Sequence, residues 1–145
     1  MGRIPVAVEL SKRGVSVETK NCLMCNEGEE STDHVLVDCP YARRVFEGVF
    51  GWCGMSMEPF HSVKELVDSA SRWGRCQKKR ELLLAIYYGT IWCIWKSRNE
   101  RVFKKILHPK LKVIDFIKSM TYLWVKNTGE IIRMDWATWS QCPLL

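Results

Sequence analysis

No two aspartates are adjacent anywhere in these 145 residues, and there is no G-x-S-x-G, no glycine-rich phosphate loop and no H-E-x-x-H. Each absence removes a chemistry: a Tyr-x-Asp-Asp polymerase centre, a serine hydrolase elbow, a P-loop and a zinc protease helix. Histidine is scarce, at three residues, which leaves few bases for a cysteine nucleophile. A ribonuclease H centre needs several carboxylates converging on metal ions. The acids after residue 60 (Glu65, Asp68, Glu81, Glu100, Asp115, Glu130 and Asp135) are instead spaced like solvated helix positions. The chain is therefore expected not to be an enzyme. No apolar run approaches the roughly 20 residues of a bilayer span; the longest, Leu82 to Trp95, is broken by Gly89 and Thr90. Internal repeats and low-complexity stretches are also missing.

What is present is a cluster of soft metal donors. Cys22, Cys25, His34 and Cys39 follow the pattern C-x2-C-x8-H-x4-C. Zinc favours thiolate and imidazole in a closed tetrahedron, and Cys3His is a common structural set. The stretch between Cys25 and His34, Glu27 to Asp33, is too polar for a core segment, so buried free thiols explain it less well than a metal. Asp38 and Pro40 suggest that a helix begins there, with Asp38 as N-cap and Pro40 in its first turn, and its dipole would favour the Cys39 thiolate. Seven cysteines is an odd number, and Cys53, Cys76, Cys93 and Cys142 have no pairing pattern. With no signal peptide evident at Met1, a reducing cytoplasm or nucleus is expected; Met1-Gly2 lacks the downstream Ser or Thr of a myristoylation signal.

The net charge of +6 is unevenly spread. Residues 1–60 carry six Lys/Arg against nine Asp/Glu, residues 61–126 fifteen against five, and residues 127–145 one against two. Helical periodicity predicts a short helix over 5–13, one from Pro40 to Phe50 closed by Gly51, and one opened by the capping box Ser62-x-x-Glu65 and running to about Trp73. The longest pattern, Lys78 to about Lys105, is basic at both ends and apolar on nearly every face between, as a buried central helix would be. Gly89 within it permits close packing or a slight bend. His108-Pro109 breaks the chain, a further amphipathic helix ends near Gly129, and Trp136 with Trp139 suits a short capping helix.

Seven tryptophans among basic residues suggest base stacking, but Trp92, Trp95, Trp124, Trp136 and Trp139 fit core positions, which leaves Trp52 and Trp73 near loops. Lys78, Lys79, Arg80, Arg98, Arg101, Lys104 and Lys105 are the candidate phosphate contacts, since neutralising phosphates drives sequence-independent binding. Arg98, Arg101, Lys104 and Lys105, three and four apart, are expected on one helix face.

Several stretches also resemble a known family. Lys12-Arg13-Gly14, Cys22-x-x-Cys25, Glu30-Ser31-Thr32-Asp33-His34-Val35-Leu36 and Cys39-Pro40 are similar to the zinc-binding domain of plant non-LTR (LINE-type) retrotransposon reverse transcriptases. Trp95-x-x-Arg98-Asn99-x-x-x-Phe103 resembles the block that follows it, and Trp136-x-x-Trp139 with Cys142-Pro143-Leu144 resembles the usual end. The resemblance implies a C-terminal fragment of a retroelement polyprotein without its polymerase, with Cys22, Cys25, His34 and Cys39 as zinc ligands and template RNA or target DNA as partner. The expected fold is mainly α: a small zinc-binding lobe over 1–60 and a helical bundle over 61–145. The alternative is a protein-interaction or relic module, self-associating or meeting another chain through exposed apolar surface and binding no nucleic acid.

Overall fold

The computed structural model describes residues 4–17, 19–128 and 134–144. Among them the protein is mainly helical and has no strand; its single β-bridge is antiparallel, between Asn21 and Glu29. The helices are α1 (Ala7–Lys12), α2 (Pro40–Trp52), α3 (Val63–Ser71), α4 (Gln77–Lys104), α5 (Lys110–Asn127) and α6 (Trp136–Gln141). A π-helical turn, His34–Asp38, precedes α2. No helix among the described residues is long and apolar enough to cross a membrane.

Local chemistry sets the boundaries. Ser62 caps α3, its hydroxyl accepting the Glu65 N–H at 3.1 Å. The Glu65 carboxylate reaches His61 N–H rather than the cap residue's own amide, so half of the expected box is replaced by a neighbour. Pro40 does sit in the first turn of α2, but Cys39 occupies the N-cap position. Asp38 is not the cap; Arg43 and His61 hold its carboxylate at 2.7 and 2.9 Å. Gly51 lies inside α2, which runs on to Trp52. Lys105 takes the left-handed conformation (φ 59°) that ends α4, and Pro109 stands at the N-cap of α5.

One apolar core runs from Val6 through the π-turn and α2 to α6. α4 packs against α3, α5, α2 and the π-turn. Two glycines set how closely α5 approaches. A Cβ on Gly89 would stand 2.5 Å from Thr121 Cγ2, and one on Gly48 would stand 2.1 Å from Ile114 Cδ1. α5 therefore rests against the bare backbone of α4 on one side and of α2 on the other. Gly89 is a packing residue. Aromatic rings fill the far side: Phe46 meets Phe60 edge-on at 5.3 Å, and Phe50 stacks on Tyr87 at 5.7 Å. Trp139, fully buried, donates its indole N–H to Lys118 O and accepts that of Trp52 on its own carbonyl, which seats α6.

Candidate metal centre and the basic helix ends

The first two cysteines lie on a tight knuckle. Cys22 N–H donates to Gly28 O at 2.7 Å, and Glu30 N–H donates to Lys20 O at 2.7 Å, so the chain folds back on itself around residues 22–28. At the tip Asn26 adopts φ 58°, a conformation asparagine tolerates better than most residues, and its N–H closes on Cys22 O at 2.8 Å. Glu27 N–H points at Cys25 Sγ, 3.4 Å away. His34 comes from the turn that follows, where Ser31 Oγ accepts its N–H. Cys39 closes that turn, donating its N–H to His34 O at 2.6 Å. This widened turn spans the five-residue step from His34 to Cys39 and brings both side chains back to the knuckle.

The four donor atoms lie within 4.8 Å of one another. Cys22 Sγ is 3.9 Å from Cys39 Sγ, and Cys25 Sγ is 3.3 Å from His34 Nε2. A tetrahedral zinc with bonds of about 2.0–2.3 Å requires donor separations of roughly 3.5–3.8 Å. Cys22 and Cys39 are buried, and Cys25 and His34 half-buried. The charge balance also favours a cation. The Cys39 thiol, with nearby backbone amides assisting, stabilises the Cys22 thiolate and brings its pKa down to about 5. That thiolate, together with burial, holds the Cys39 proton on, although the Tyr41 amide at the helix start pulls the other way. The helix dipole alone thus does not set the charge of Cys39. Without a cation only one of this buried pair carries charge; a divalent metal ligated by both would let both be thiolates. The site fits zinc, with His34 presenting Nε2.

Residues 1–46 match the family model described as zinc-binding in reverse transcriptase. Zinc is the ion of this lobe. The match covers α1, the knuckle, the π-turn and the first half of α2, and ends before α3, α4, α5 and α6. No curated protein and no solved structure matches the chain.

Two of the acidic residues around the ligands tie the lobe down. Glu30, 1% exposed, forms an ion pair with Arg98 of α4, Arg98 Nε donating to Glu30 Oε2 at 3.0 Å. The same carboxylate accepts Ala7 N–H at 2.9 Å, so one buried acid anchors α1 and α4 together. Asp33 Oδ1 accepts Val63 N–H at the start of α3. Arg98 also lies 4.9 Å over the Trp95 ring.

Arg98 is consequently not part of an exposed basic face. It is 6% exposed and committed to Glu30, which corrects its expected role as a phosphate contact. The other basic candidates fall in two groups at opposite ends of α4. Lys78 is exposed and Lys79 and Arg80 half-buried, with Arg80 donating to Gly74 O; Arg101 is half-buried and Lys104 and Lys105 are exposed. At 1.5 Å per residue, roughly 30 Å of helix separates the groups. The aromatic expectations also need revision. Trp52, thought open for stacking, is 6% exposed, whereas Trp92, Trp124 and Trp136, read as core, are 50%, 46% and 44% exposed.

Proposed function

We propose that this chain is a non-catalytic, zinc-stapled nucleic-acid-binding module descended from the reverse transcriptase of a plant LINE-type retrotransposon. The observation that carries the reading is the division of charge: an acidic lobe, in which Glu30, Asp33 and Asp38 are used internally, joined to helices with fifteen Lys/Arg against five Asp/Glu over residues 61–126. In this reading zinc fixes the lobe and Glu30–Arg98 fixes the lobe to α4. Arg101, Lys104 and Lys105 neutralise phosphates at one end of α4, and Lys78, Lys79 and Arg80 do so at the other. RNA and DNA are both candidate partners. The test is titration of labelled RNA and DNA at several salt concentrations. Affinity should fall steeply with salt, and replacing Arg101, Lys104 and Lys105 by Gln should flatten the slope by about 0.7–0.9 per lost phosphate contact. A flat salt response in the unaltered chain overturns the reading.

A second reading, a protein-interaction or relic module, draws on a different surface. Leu123 and Trp124 on α5 and Trp136 on α6 are 61%, 46% and 44% exposed. Single exposed apolar residues are ordinary, but a patch of them marks an interaction surface. Concentration-dependent dimers in sedimentation, with no binding to either nucleic acid, would favour it.

A further inference from the structure

A cleft of about 400 Å³ opens between the C-terminal half of α4 and the N-terminal half of α5. Its size lies within the roughly 300–1,000 Å³ of small-ligand sites. Cys93 and Ser97 are buried beneath it, and Lys96, Lys112 and Phe116 are exposed at its edge. Lys96 Nζ lies 4.7 Å from the Phe116 ring and 5.5 Å from the Trp92 ring, one turn back on α4. The two rings are 43% and 50% exposed. One exposed aromatic needs no explanation; Phe116 in the lining of the cleft and Trp92 beside it, sharing the Lys96 ammonium, form a surface with flat apolar faces and a positive charge between them.

The surroundings indicate which ligand such a surface takes. Glu100 and Asp115 also line the cleft, but Glu100 is paired with His108. Beyond the rim Arg101, Lys104, Lys105 and Lys110 continue the basic surface around the turn from α4 to α5. The turn also exposes Phe103, Ile106, Leu107 and Leu111, but the cations set among them favour a polyanion over an apolar protein face. A duplex keeps its bases stacked inside and offers nothing to Trp92 or Phe116. A single strand offers both a polyanionic backbone and free π-faces, the combination that stacking platforms in basic grooves recognise.

We infer that the α4–α5 cleft seats an unpaired nucleotide of a single strand, its base against Phe116 and Trp92 and its phosphate at Lys96 and Lys112. This rests on the nucleic-acid reading above and narrows it to single strands. The test uses the whole chain with zinc, a fluorescein-labelled oligo-uridine of about 12 nucleotides, and a duplex of the same length, followed by anisotropy. Phe116→Leu and Trp92→Leu keep apolar bulk and remove the ring; both positions are about half open to solvent, and melting curves check that the fold is kept. Each substitution should weaken single-strand binding about tenfold, the stacking of one base, and leave duplex binding unchanged. Asp115→Asn should tighten single-strand binding, which a purely structural role for the cleft does not predict. Salt-dependent binding that Phe116→Leu and Trp92→Leu leave intact, or weaken equally for duplex, overturns the cleft but keeps the general reading. No salt-dependent binding to either probe overturns both.

Discussion

Between Lys20 and Cys39 the chain buries Cys22, Glu30, Val35, Leu36, Val37 and Cys39; α4 alone buries Leu83, Ile86, Tyr87, Ile91, Cys93 and Ile94 along with Gly89, Thr90, Ser97 and Arg98. The first segment buries apolar side chains in its π-turn, but between Lys20 and His34 only Cys22 and Glu30 are buried, and the geometry there depends on four donors meeting at a point. The second is held by area, with α3 and α5 packed along it. A metal lobe is specified by a handful of atoms, so losing one ligand removes everything. A bundle is specified by many contacts, so a single change removes only a share. Glu30–Arg98 is the joint between the two modes of stabilisation.

Breaking the lobe should give the largest effect. Cys39→Ser removes one of four ligands from a site whose binding is also its folding energy, about 10–16 kcal/mol in small zinc modules. Elemental analysis should find no retained zinc, and amide exchange should show residues 19–39 unprotected. Breaking the joint comes next. Arg98→Met leaves the Glu30 carboxylate buried without its charge partner, at a cost of about 3–5 kcal/mol in denaturant unfolding. Adding Glu30→Gln should recover much of that loss, a coupling that the two single changes cannot show by themselves.

The bundle should yield smaller losses with zinc content untouched. Gly89→Ala gains helix propensity of up to about 1 kcal/mol, but its methyl group meets Thr121 Cγ2, and Thr121 is fixed by its hydroxyl bond to Ile117 O. Overpacking should dominate, for a net loss of about 1–2 kcal/mol. Ser62→Ala, at the exposed start of α3, should cost about 1 kcal/mol, read as a small shift of the melting curve.

How much of this was legible in the sequence follows from how local each signal is. The ligand pattern and the helix limits depend on neighbours within a turn or two, and the spacing of Cys22, Cys25, His34 and Cys39 carries their convergence on one point. Glu30 gave no such signal. Glu27, Glu29 and Glu30 look alike in the chain, and only the packing of α4 selects the one that is buried. Arg98 was hidden for the same reason, since a basic residue three before Arg101 fits a solvated stripe until an acid 68 positions away turns up beside it. The tryptophans misled because α4 is apolar all round, and which face opens depends on where α5 docks. Gly89 and Gly48 determine that docking through contacts made across the fold. Asp38 fits an N-cap from composition but serves Arg43 and His61 instead, a choice made by the loop that brings His61 alongside.

The most direct measurement is hydrogen exchange on the whole chain by mass spectrometry, before and after zinc is removed by a chelator, with metal content counted in each sample. One zinc per chain is expected at the start. Its removal should strip protection from residues 19–39 while Leu83–Ile94 of α4 and Val113–Val125 of α5 stay protected. A chain that holds no zinc and yet protects residues 19–39 would contradict the metal's role in folding the lobe.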